Sequence, residues 1–98
     1  MKDNLQSKIF LSISRALLGE VFSELVAVCC RIVGDRNFEI IFFVDTELSA
    51  SKVDCLSMVE TEVLADFPDF DISHVILRTG PGHVPQCDGF WIFMRKNM

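Results

Sequence analysis

Ninety-eight residues, half of them apolar and 23% charged, suit one small packed domain spanning 1–98 and lie far from the composition of disorder. Nine Lys and Arg against fourteen Asp and Glu give a formal charge of −5, which argues against binding a nucleic-acid backbone, a contact driven by cations. Ile40 to Val44 is an apolar run of five residues, and no run approaches the roughly 20 that a membrane-spanning helix needs.

Lys2 and Lys8 precede Ile9-Phe10-Leu11 in the manner of a signal peptide, but Ser12, Ser14 and Arg15 break the apolar run, so the segment reads as a mature helix. From about Leu5 to Leu18, Ile9, Ile13, Ala16 and Leu17 share one helical face, with Lys8, Ser12 and Arg15 on another, and Gly19 is a natural stop. β-Branched and Cys content rises from Phe22 to Val33, as a strand requires. Gly34-Asp35-Arg36-Asn37 reads as a turn, and Phe38 to Asp45 returns as the second strand of a hairpin.

Ser49 or Ser51 can cap a second helix reaching about Phe67, Ser51 and Asp54 forming a capping-box-like pair. Val53, Leu56, Val59, Val63, Leu64 and Phe67 form its apolar stripe, while Asp54, Ser57, Thr61, Glu62 and Asp66 face away. Glu60 projects among the apolar residues and needs a partner or an edge position. Pro68 ends the helix. Asp71 to Arg78 and Gly89 to Arg95 read as strands three and four, joined by a Gly/Pro-rich loop from Thr79 to Asp88 that is long for a hairpin.

The predicted order is α-β-β-α-β-β: an α+β fold with two helices packed on one face of a four-stranded, mainly antiparallel sheet. A circular shift of this order gives the ferredoxin-like arrangement. Strands two and four are apolar on both faces, so the face away from the helices needs cover. Long loops and the N-terminal arm, a partner, or a second copy of the chain could each supply it.

Few residues carry candidate chemistry. Cys29 and Cys30 are neighbours in a strand and point to opposite faces, and Cys55 and Cys87 complete no spaced framework, so the four cysteines read as free thiols of a reducing cytoplasm. His74, His83 and Cys87 with Cys55 or a carboxylate could gather a metal, but the second ligand pair of a zinc signature is missing. Cys87 with His83 or His74 is the sole nucleophile candidate, and little basic charge surrounds it. Gly80-Pro81-Gly82 lacks the Lys and the helix start of a phosphate loop. The expectation is therefore no enzyme, no metal and no cofactor.

Charge placement points to a binding role instead. Between Glu39 and Asp71 lie nine carboxylates and one base, Lys52, a net −8 that leaves the rest of the chain at +3. Such a field attracts and steers a basic partner, although a merely solvated helix face has the same composition. Ala16-Leu17-Leu18-Gly19-Glu20-Val21, the strand end Phe42-Phe43-Val44-Asp45 and, most specifically, the segment from Glu60 through Asp66-Phe67-Pro68 to Phe70 resemble a family of small bacterial proteins. These are immunity proteins of contact-dependent growth-inhibition, or polymorphic toxin, systems. The sequence departs from that family's pattern in the Cys29-Cys30 strand and in the loop before strand four.

The resemblance implies a cytoplasmic antitoxin that binds a toxin domain, often a nuclease, and blocks its active site. Carboxylates offered to a basic cleft where phosphates would sit make physical sense of that role. From charge alone, Asp45, Glu47, Asp54, Glu62, Asp66 and Asp69 are the expected toxin-binding set. The alternative is a homodimeric structural or adaptor domain joined through the apolar sheet face.

Overall fold

The computed structural model describes residues 2–19, 22–80 and 86–95. Its elements run α1 (Lys2–Ala16), β1 (Leu25–Gly34), β2 (Asn37–Val44), α2 (Ala50–Asp66), β3 (Asp71–Arg78) and β4 (Phe90–Met94), in the expected α+β order. α1 begins earlier than its apolar spacing suggests, and Ile9, Ile13 and Ala16 form its buried face. Gly19, at φ +83°, takes the left-handed conformation that lets the chain leave the helix.

β1 and β2 form the predicted hairpin, with Gly34 opposite Asn37 across the turn. Sheet order is β3-β2-β1-β4. β4 pairs antiparallel with β1, whereas β3 pairs parallel with β2 over its whole length, from Asn37–Asp71 to Val44–Arg78. The sheet is therefore mixed, with two antiparallel pairings and one parallel. The parallel pair follows from α2, which carries the chain back across one face so that β3 can run beside β2 in the same direction. The segment after Arg78 thus joins strands at opposite edges of the sheet.

Both helices lie on one face. There Val28, Cys30, Phe38, Ile40, Phe42 and Val44 meet Ile9 and Ile13 of α1 and Leu56, Val59 and Val63 of α2. Edge-on contacts among Phe38, Phe67 and Phe70 close the end where α2 turns into β3. The opposite face holds a smaller buried cluster of Val26, Ala27, Cys29, Ile41 and Phe43, onto which Val75, Cys87 and Trp91 pack. A bulge between Leu25 and Ala27 puts Val26 and Ala27 together on that side. Of the covers considered for this face, the chain's own Cys87 and Trp91 provide one, while α1 sits on the other side.

One expectation is overturned. Cys29 and Cys87 form a disulfide, with Cα atoms 6.2 Å apart and a sequence separation of 58. Cys29 and Cys30 do face opposite sides, but the outward thiol finds a partner because the crossing segment brings Cys87 over β1. Buried Cys30 remains a thiol, its pKa pushed up to about 12 by burial.

Candidate functional site

α2 is the element that organises the acidic half of the molecule. Ser49, not Ser51, caps it: the Ser49 hydroxyl accepts from the Lys52 backbone N–H at 3.4 Å. Lys52, the one base of the acidic segment, bonds Glu24 and lies 5.4 Å from the Phe22 ring centroid. The Lys52 hydrogen bond is the main reason that the Glu24 carboxyl sits below its ordinary pKa. So engaged, Lys52 is committed inward, and the outer face of α2 keeps its carboxylates.

Glu60 finds the partner it needs. Its carboxylate is 2.7 Å from Nδ1 of half-buried His74, whose ring also meets Phe42 edge-on. His74 is thereby held on the helix side of the sheet, away from the outer-face cluster that contains Cys87. His83 lies outside the described residues. In the disulfide Cys87 carries no thiolate to act as a nucleophile, and its candidate partner His74 is bound to Glu60. No group of three or more His, Cys, Asp or Glu able to hold a metal exists among the described residues.

The six predicted binding carboxylates are all exposed, but their circumstances differ. Asp45, just past β2, accepts from Arg95 Nη1 at 2.9 Å, and the same nitrogen donates to the Ser23 carbonyl at 2.7 Å. Asp66 ends α2, where the helix dipole disfavours negative charge. It is held by the Ser12 hydroxyl at 2.6 Å and by Arg15 Nη2 at 2.8 Å. Ser12 first, and Arg15 after it, keep the Asp66 carboxyl below its ordinary pKa. These two acids fasten parts of the fold together.

Asp54, Glu62, Glu47 and Asp69 form no ion pair among the described residues. Glu47 borders a surface groove of about 470 Å³ with Leu48, Val53, Ile76 and Arg78. Asp54 and Glu62 stand on one row of α2, two helical steps of four residues apart. Between them on that row is Met58, 55% exposed, a residue that the charge-based reading missed. Its signal was available, since residue 58 falls opposite the buried Leu56, Val59 and Val63. Asp54 and Glu62 thus flank an apolar centre on one helical row; Asp66 is the next residue of that row but is tied to Ser12 and Arg15, and Asp45 is tied to Arg95.

A family model described as MafI2 immunity protein matches residues 6–97, which takes in all the segments on which the resemblance rested. The chain belongs to the MafI2 immunity protein family. None of the curated proteins matches it. Membership in MafI2 makes the chain an immunity protein of a polymorphic toxin system, with a cognate toxin as its partner. No described helix is long and apolar enough to cross a membrane.

Proposed function

We propose that this protein neutralises its toxin as a single domain, without catalysis, by binding through the outer face of α2. The observation that carries the reading is the Asp54–Met58–Glu62 row: two carboxylates with no ion-pair partner among the described residues flank an exposed apolar side chain on α2. A desolvated anchor ringed by charge is the usual anatomy of a tight interface. Glu47 and Asp69 extend the negative surface toward the two ends of the helix. The complementary partner is a toxin domain with a basic cleft, as a nuclease must have to hold a polyanion.

Under this reading the place of action is the cytoplasm, where a nuclease meets nucleic acid. A homodimer through the outer sheet face is less well supported, because Ile41 and Phe43 there are already covered by Cys87 and Trp91. The test is co-expression with the toxin encoded beside this gene. Co-purification and rescue of growth are expected, both lost in a Asp54→Lys/Met58→Ala/Glu62→Lys variant that still folds. Full rescue by that variant would remove α2 from the interface, and failure to bind any adjacent toxin would remove the proposal.

A further inference from the structure

β4 is the shortest strand of the sheet, five residues at an edge, and its pairing with β1 ends at Cys30–Phe90. Its far end is fastened by polar bonds: the Arg95 backbone N–H reaches the Val26 carbonyl at 2.7 Å, and the guanidinium bonds Ser23 and Asp45. Its near end is fastened covalently, by Cys87 three residues ahead of the strand. Under that clamp Trp91 packs on Phe43, with ring centroids 5.9 Å apart, over Ala27 and Ile41. Cys29 is fully buried and Cys87 only half-buried, so Cys87 is the more accessible residue of the pair. α2 and its acidic row are built on the other face of the sheet.

We propose that the Cys29–Cys87 disulfide is a redox latch on β4: exchange with small thiols opens the near end of this edge strand and uncovers the Trp91–Phe43 patch, while the two-helix core stays folded. The thiolate of a glutathione-type monothiol attacks Cys87 Sγ, and Cys29 Sγ leaves as a thiolate and takes a proton. A second thiolate attacks the mixed disulfide, freeing the Cys87 thiol and leaving the two small thiols joined as one disulfide. The chain gains two electrons and two protons, and the small thiols lose them. Cys30 cannot replace Cys29 as the partner of Cys87, because it faces the helices. In a reducing compartment the latch is open, and in an oxidising one it is closed.

The test uses the full chain with and without dithiothreitol, read by alkylation under denaturing conditions and by amide hydrogen exchange. The oxidised protein should take two alkyl groups and the reduced protein four. Exchange over 86–95 should rise about tenfold or more on reduction while α1 and β2 stay protected, as expected of a local opening. A Cys29→Ser/Cys87→Ser variant should exchange like reduced protein and ignore dithiothreitol. Should that variant fail to fold, the comparison of oxidised and reduced wild type still decides. Four alkyl groups on air-oxidised protein, unchanged exchange over 86–95, or loss of protection in α1 and β2 down to the level of 86–95 would each overturn the latch.

Discussion

Reversing the two flanking charges of α2 gives a prediction whose size can be worked out from geometry. Asp54 and Glu62 are eight residues apart, about 12 Å along the helix at about 1.5 Å per residue. That exceeds the screening length of about 8 Å at physiological salt, so the two sites act independently and their effects add. An exposed ion pair is worth up to about 1 kcal/mol, and reversal exchanges an attraction for a repulsion of similar size. Each of Asp54→Lys and Glu62→Lys should therefore weaken toxin binding by about 2 kcal/mol, or about 30-fold in Kd, and both together by about 1,000-fold. Met58→Ala should cost about 2 kcal/mol as an apolar anchor, and that loss should be insensitive to salt. Calorimetric titration at about 0.1 M and about 1 M salt separates these effects, because the screening length falls to about 3 Å at the higher value. Wild type should weaken with salt, and the double reversal should strengthen, because salt screens its two repulsions. A folded double reversal that binds within about twofold of wild type would refute the assignment of α2 as the interface.

Four further outcomes concern the fold. Removing the Cys29–Cys87 link, which spans 58 residues, should lower stability by up to about 4 kcal/mol through lost loop-closure constraint and drop Tm by roughly 15–30 °C; identical melts with and without reductant would contradict this. A Cβ on Gly89 would lie 1.9 Å from the Cys30 carbonyl oxygen, which is backbone and cannot step aside. Gly89→Ala should therefore cost about 1–3 kcal/mol or more in urea unfolding by pushing β4 off β1, whereas a neutral outcome would mean that the approach is slack. Glu60→Ala strips half-buried His74 of its partner and should cost about 1–2 kcal/mol, most of it recovered by Glu60→Gln, which still offers an oxygen. Asp66 has its folded pKa below the ordinary 3.8, so the folded chain binds that proton less tightly than the unfolded chain. Its contribution is present above about pH 4 and is lost as pH falls through the lowered value, so Asp66→Asn should flatten that part of the acid-stability curve; an unaltered acid limb would contradict the link to Ser12 and Arg15.

What could be read from sequence and what could not divides by distance along the chain. The stripe on α2 was legible because Leu56, Val59 and Val63 repeat within a few residues, and the bounds of β3 coincide with its apolar segment. The turn at 34–37 was legible from its residue types. Strand order was not, since nothing in Asp71–Arg78 distinguishes an antiparallel neighbour from a parallel one reached through α2. The disulfide was illegible for the same reason: Cys29 and Cys87 meet only because β3 and β4 occupy opposite edges and the chain must cross between them. At the candidate site, carboxylate types and exposure were readable, but the ties of Asp45 to Arg95 and of Asp66 to Ser12 and Arg15 span about half the chain.

Those ties decide which acids are free to set specificity. Exchanging Asp45 or Asp66 for another residue breaks a bond between distant elements, so recognition there cannot change without disturbing the fold. Asp54, Met58 and Glu62 have no such duty, and exposed substitutions of that kind usually shift stability by no more than about 0.5 kcal/mol. An immunity protein must match its own toxin while keeping its fold, and the outer row of α2 is where those demands do not compete. Glu62→Lys should thus lose toxin binding at unchanged Tm, whereas Asp66→Lys should lose stability with whatever binding it loses. Equal stability losses in the two variants would mean that Glu62 is also tied into the fold and that the specificity surface lies elsewhere.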